Sequence, residues 1–191
     1  MEDIKEVLAL FDTFDKWSSY IELANMRMDL LNELKSRLKT ELKKIAEMHL
    51  DSEWTFYCDN NYICIKPSGT PLIGIIIEWQ WWKTAWCRRG VALWVDANNT
   101  DSKRVFSEIR ERKSLLPLQD FVENIQNHSW FPFVKQIPSK VFDVSDETIS
   151  VDECLFKAKD KSVQLAFDLW EEVFKPFATQ EIAQIFEEII K

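Results

Sequence analysis

Glycine is nearly absent from this chain: three residues in 191, alongside six prolines. So few glycines leave no room for a glycine-rich nucleotide loop. Neither Gly-x-x-x-x-Gly-Lys nor the hydrolase pattern Gly-x-Ser-x-Gly occurs. Collagen-like and low-complexity classes are excluded by the same shortage. The only histidines are His49 and His128, and neither has a Cys or His neighbour at ligand spacing, so a zinc site is not expected. The four cysteines, Cys58, Cys64, Cys87 and Cys154, form no Cys-x-x-Cys pair. Apolar runs such as 72–77 fall far short of the ~20 residues that a membrane span needs. The opening Met-Glu-Asp-Ile-Lys-Glu lacks the basic-then-apolar layout of an export signal. The expectation is a cytoplasmic protein with reduced thiols, no membrane contact and no cofactor.

Basic residues are also in deficit: 24 Lys and Arg stand against 32 Asp and Glu, a net charge of -8. A general nucleic-acid binder needs the opposite balance, to displace counterions from phosphates. An acidic chain suits a basic partner instead. Aromatic residues are abundant, at 13% with nine Trp and thirteen Phe, which excludes intrinsic disorder. The length and the absence of a linker or repeat point to a single domain over 1–191.

Hydrophobic periodicity divides the chain. Ile4, Val7, Leu8, Phe11 and Phe14 predict a helix over 2–15. Ile21, Ala24, Met28, Leu31, Leu34, Leu38, Leu42, Ile45 and Met48 predict a long one over 18–49. That second stripe reads either as a coiled coil or as a helix laid across a sheet. The period then changes. Residues 54–58 and 62–66 flank Asp59-Asn60-Asn61, a hairpin signal because such residues tolerate positive φ. The turn 67–71, a strand over 72–82 and a strand over 88–96 complete a four-stranded antiparallel meander at about 53–96.

A helical remainder follows over 101–190. One helix starts after a cap at Thr100 or Asp101, and Pro117 opens another through Ile125. Residues 130–134 read as a loop or edge strand, because Pro132 cannot donate within a sheet. Helices near 160–175 and 179–190 are separated by Pro176, with Thr179 as cap. The fold class is α+β: a meander against a long N-terminal helix, with a helical C-terminal half.

The candidate functional residues gather around the Trp-rich strand. Alternation puts Ile73, Ile75 and Ile77 on a core face, and Glu78, Gln80 and Trp82 on the other. Trp82 and Trp86, beside Lys83, Arg88 and Arg89, could stack a base and hold a phosphate. The alternative is that these Trp side chains cover the long helix, with Arg stems packed upon them. Asp143, Asp146, Glu147 and Asp152 make an acidic stretch, either a solvated face or a surface for a basic partner.

Asp59, Glu78 and Gln80 resemble a degenerate PD-(D/E)XK nuclease motif, in which paired acids on strands bind a divalent ion that activates water. Gln80 stands where that family usually has Lys, and no Pro precedes Asp59. The resemblance implies metal-dependent cleavage of nucleic acid at these positions. A second resemblance is to the accessory region that follows the nuclease core in some bacterial and phage proteins of this superfamily. Tyr62-Ile-Cys-Ile65, Arg89-Gly-Val91 and Trp130-Phe-Pro-Phe133 carry it, over about residues 25–135. It implies a binding module without catalytic residues. Taken together, the expectation is a non-enzymatic acidic binding protein with a basic protein partner. An inhibitor, an immunity-type protein or a phage antagonist of a bacterial defence system would fit. A degenerate nuclease and a binder of a small nucleotide signal are the alternatives.

Overall fold

The computed structural model describes residues 10, 13–59, 61–78, 90–124, 129–143 and 155–191. It is an α+β fold: a long N-terminal helix, an antiparallel sheet and C-terminal helices. Helix α1 runs Phe14–His49 without interruption. The expected break near residue 16 is absent. Thr13 is the N-cap, its hydroxyl accepting from Lys16 N at 3.3 Å, so the helix starts there and runs straight through. Residues 2–9 of the expected first helix lie outside the described residues.

The meander forms as its alternation requires. Strands β1 (Trp54–Cys58), β2 (Tyr62–Pro67), β3 (Ile73–Glu78) and β4 (Gly90–Val95) pair in sequence order, all antiparallel. The sheet then continues beyond the expected four strands. β6 (Phe133–Gln136) pairs with β4, and the two-residue β5 (Val122–Glu123) closes the edge. Pro132 does not oppose this, because it sits just before β6 and only its carbonyl is used, accepting from Asn124 N. The helix expected from Pro117 does not form. A 3-10 turn at Lys113–Leu115 ends the preceding helix α2 (Ser102–Glu111), and the chain then extends into β5. Asp101 caps α2, accepting from Lys103 N and Arg104 N.

Helix α3 (Ala158–Leu169) passes into a π-helical turn at Trp170–Phe174, and α4 (Gln180–Ile190) starts at a Thr179 cap. The main core lies on one face of the sheet. Ile63, Ile65, Ile73, Ile75, Ile77, Val91 and Leu93 meet the buried stripe of α1 and the aromatic residues Trp170, Phe174 and Phe186. Helix α1 lies chiefly against α3 and touches β1. A buried ammonium ties this layer together. Lys157, with its side chain only 3% exposed, donates to the Val141 carbonyl at 2.8 Å and to Asp168 at 2.9 Å.

Only the C-terminal part of α1 takes part in the core. Its buried residues are Leu31, Leu34, Leu38, Leu42, Ile45 and Ala46, while residues 13–30 are exposed throughout. The first turns of α1, residues 14–30, therefore add nothing to that buried core. No helix among the described residues is long and apolar enough to cross a membrane.

Candidate binding site on the outer face of the sheet

The sheet's second face carries a small cluster of its own. Cys64, Ile76, Ala92, Phe131 and Val134 are buried there, with Tyr62, Trp94 and Trp130 half-buried around them. The register explains its shape. Cys64 pairs with Ile76, Ile76 with Ala92, and Ala92 with Val134, one row across four strands. Cys64 and Ala92 are small, so Ile76 is flanked by low ground. In the neighbouring row Gly74 pairs with Trp94 and has no side chain at all. Larger residues at the ends then enclose a cavity of about 380 Å³, lined by Tyr62, Lys66, Ile76, Glu78, Trp94, Trp130 and Phe131. That volume lies within the range of small-ligand pockets, and the lining is mainly apolar with few polar groups.

Gly74 is the one glycine whose lack of a Cβ the site requires. A methyl group there would run into the Ile65 carbonyl oxygen and Lys66 Cγ, with Cys64 Sγ also close. The space lets Lys66 reach across β3, its Nζ standing 4.0 Å from the Trp94 ring centroid and 5.2 Å from that of Tyr57. Cation–π attraction fixes the ammonium at the cavity wall. Trp94 is in turn tilted against Trp130, with centroids 6.2 Å apart, and Val95 N donates to the Trp130 carbonyl. The Trp pair is thus held by backbone and ring contacts. At the other end the register places Glu78 opposite Tyr62. Burial, then the nearby Asp59 charge, pushes the Tyr62 phenol above its ordinary range, so it is a neutral hydroxyl at physiological pH. Burial likewise pushes the Cys64 thiol up to about 12, which makes it packing rather than a nucleophile.

The sequence candidates fall differently. Asp59 closes the β1–β2 hairpin. Its Oδ1 accepts from Asn61 N at 2.6 Å and Tyr62 N at 2.9 Å, and its carbonyl accepts from Lys39 Nζ at 2.9 Å. Glu78 stands at the end of β3, on the cavity rim. Both acids are at the same end of the sheet, but one oxygen of Asp59 is committed to the turn. No group of three or more His, Cys, Asp or Glu suited to a metal ion is present among the described residues. Gln80, Trp82, Lys83, Trp86, Arg88 and Arg89 lie outside the described residues, as do Asp146, Glu147 and Asp152.

Asp143 is described, and it is engaged. Its carboxylate contacts Lys157 Nζ and Lys161 Nζ, each at 3.4 Å. Burial raises its pKa, but these two ammoniums outweigh that and hold the carboxyl below the usual Asp range. Glu171 is paired with Lys175 at 2.7 Å and Glu172 with Lys135 at 3.2 Å. Of the cavity residues, Lys66 and Trp94 were not singled out in the sequence, and Tyr62, Trp130 and Phe131 entered only through the accessory-region resemblance. The available signal was the outer-face alternation Tyr62, Cys64, Lys66 against Gly74, Ile76, Glu78, in which small residues alternate with large or charged ones. A scan against protein-family models, a search of curated proteins and a search of solved structures find no match for this chain.

Proposed function

We propose that this chain is a non-enzymatic binding protein that acts by protein–protein contact, seating an apolar or aromatic side chain of its partner in the outer-face cavity. One observation carries this reading: an aromatic-walled cavity of about 380 Å³ on a sheet face, with its Trp pair braced. Protein interfaces concentrate their binding energy where a few anchors fill such pockets. The net charge of -8 favours a basic partner and speeds its encounter. An inhibitor of a basic, nucleic-acid-acting protein has this combination of features. The Lys66 ammonium against Trp94 favours a second reading, a planar anionic ligand such as a small nucleotide. The acidic charge opposes it. Nuclease chemistry has less support, since Asp59 spends an oxygen on its hairpin.

The test is affinity purification from the native host, followed by calorimetry with the purified partner. Parent, Trp130→Ala and Tyr62→Ala are compared after each is found folded by circular dichroism. A loss of at least tenfold in affinity is expected for Trp130→Ala. Equal binding by both folded variants would refute the cavity as the contact. Fluorescence quenching by a mononucleotide or cyclic dinucleotide that Trp94→Ala abolishes would instead establish the second reading. Magnesium- or manganese-dependent cleavage of DNA or RNA that Glu78→Ala removes would overturn both.

A further inference from the structure

Strand β1 ends the sheet, paired with β2 on one side and with no strand on the other. Two bonds at its ends fix which of its backbone groups face outward. Asp59 N donates to the Tyr62 carbonyl at 3.0 Å, and Ser68 N donates to the Glu53 carbonyl at 2.8 Å. In an antiparallel pair the N–H and C=O of one residue point the same way, and successive residues alternate. Glu53, Thr55, Tyr57 and Asp59 therefore address β2, whereas Trp54, Phe56 and Cys58 address the open edge. Trp54 N is already used, donating to the Asp51 carbonyl at 3.3 Å. What remains is the Trp54 carbonyl and the N–H and C=O of Phe56 and of Cys58. None of these groups has a hydrogen-bond partner among the described residues.

Such an edge is a template for another strand, and folded chains usually blunt it with a charge, a proline or a bulge. β1 has none of these. Its sequence is Trp-Thr-Phe-Tyr-Cys, and its register with β2 runs unbroken from Trp54–Pro67 to Cys58–Ile63. Tyr57 and Cys58 are exposed at its end. We infer that β1 pairs antiparallel with β1 of a second copy of this chain, about a two-fold axis at Phe56. The outward groups are complementary to themselves about that axis. Phe56 N–H of each copy donates to the Phe56 carbonyl of the other, and Cys58 N–H of each donates to the Trp54 carbonyl of the other. These bonds use the Trp54 carbonyl and do not need its committed N–H.

The side chains match as well. Phe56 meets Phe56 on the core face, and Cys58 stands beside Trp54. Thr55 meets Tyr57 on the outer face, a β-branched residue against an aromatic ring, which is a favourable cross-strand pair. No charge opposes another within the strand. Just beyond it, Glu53 of one copy comes opposite Asp59 of the other, where Lys39 Nζ, donating to the Asp59 carbonyl at 2.9 Å, brings an ammonium beside the two acids. A basic peptide, by contrast, would find no carboxylate between 54 and 58 to select it. Pairing about this axis joins the two sheets edge to edge and leaves both outer-face cavities on the same side. The contact is a five-residue edge, below the ~1,200 Å² at which stable interfaces begin, so the association is of micromolar strength.

The experiment is sedimentation of the full chain from about 1 to 100 µM, the range such a small edge contact implies. Cys58→Pro is run beside the parent. It removes one outward N–H that has no partner within the chain, so the variant is expected to keep the parent's circular dichroism and melting at low concentration. The parent is expected to pass from monomer to dimer across the range, and Cys58→Pro to dimerise at least tenfold more weakly. A parent that stays monomeric throughout would overturn the inference, and so would a folded Cys58→Pro that dimerises normally. Amide hydrogen exchange on the parent needs no variant. The Phe56 and Cys58 amides are expected to exchange fast when dilute and to become protected as the dimer forms. A dimer that leaves both amides unprotected would place the contact elsewhere and overturn the inference. Register is tested by mixing Thr55→Cys and Tyr57→Cys chains, each also carrying Cys58→Ser, under mild oxidation and mapping disulfides by mass spectrometry. A bond between positions 55 and 57 of different chains is expected. A bond joining two Tyr57→Cys chains at that position would overturn the axis at Phe56.

Discussion

Removing the Lys157 ammonium while keeping its stem, as Lys157→Met does, is expected to destabilise the fold by about 3 kcal/mol. The group donates to the Val141 carbonyl at 2.8 Å and to Asp168 Oδ2 at 2.9 Å, and contacts Asp143 Oδ1 at 3.4 Å. Breaking a fully buried pair costs about 3–5 kcal/mol, because the remaining charge is left unpaired. Asp168 is 28% exposed and Gln164 Nε2 still donates to its other oxygen at 2.7 Å, so water and amide recover part of that. The Val141 carbonyl belongs to a buried residue, and an unpaired buried acceptor adds about 1–3 kcal/mol. Balancing these gives the low end of the range. For a chain of this size, each kcal/mol moves the melting temperature by about 2–4 °C, so a fall of about 6–12 °C is expected.

Urea unfolding followed by circular dichroism, with parallel thermal melts, measures the effect. The double variant Lys157→Met/Asp168→Leu is expected to recover most of the loss, because it removes both charges together. Salt at 0.5 M should change the Lys157→Met difference little, since the ammonium is shielded from solvent. The exposed pair Arg110–Glu123, at 61% and 49% exposure, is the internal control, and breaking it is expected to leave the melt nearly unchanged. A Lys157→Met protein within about 0.5 kcal/mol of the parent would refute the clasp.

Other outcomes follow from single contacts. Ile75→Asp places a charge in a fully buried strand position and is expected to cost several kcal/mol in the same urea assay. Gly74→Ala forces β2 and β3 apart at the Ile65 carbonyl and is expected to cost about 1–3 kcal/mol, with changed Trp fluorescence as Lys66 leaves Trp94. Asp143→Asn is expected to be less stable than the parent at neutral pH. Because the folded-state pKa of Asp143 is lowered, its stabilisation is full above the ordinary Asp value and is lost as pH falls through the lowered one. The two melts should therefore begin to draw together as pH falls past about 4 and meet only below the lowered value. In site-resolved thiol labelling at pH 8, exposed Cys58 should react fast and Cys64 only on unfolding.

The period-two runs at 54–58, 62–67 and 73–78 were legible because one face of each is plainly apolar and turn residues separate them. Helix starts with a capping side chain were also legible: Thr179 by name, and Asp101 as one of two candidates beside Thr100. The missed features share a cause: they depend on partners distant in sequence. β5 has two residues and exists only because β6 offers it a neighbour, so no local period announces it. Pro132 argued against a central strand in its run, yet β6, which lies between β4 and β5, simply starts one residue later. The apolar stripe of α1 is written in its spacing, but spacing cannot say that only its second half is buried in this core. Likewise Lys66, Trp94 and Trp130 come from two strands and a loop, and only the register brings them to one cavity.

The Lys157 clasp has a consequence for chain length. Asp143 and Lys157 stand on either side of the acidic stretch 144–154, and their contact pins both of its ends to the body. The closure cost of a connection grows only slowly with its length, by about 0.6 kcal/mol per doubling. The contact between Asp143 and Lys157 thus sets the span that the connection between them has to bridge, whatever its length.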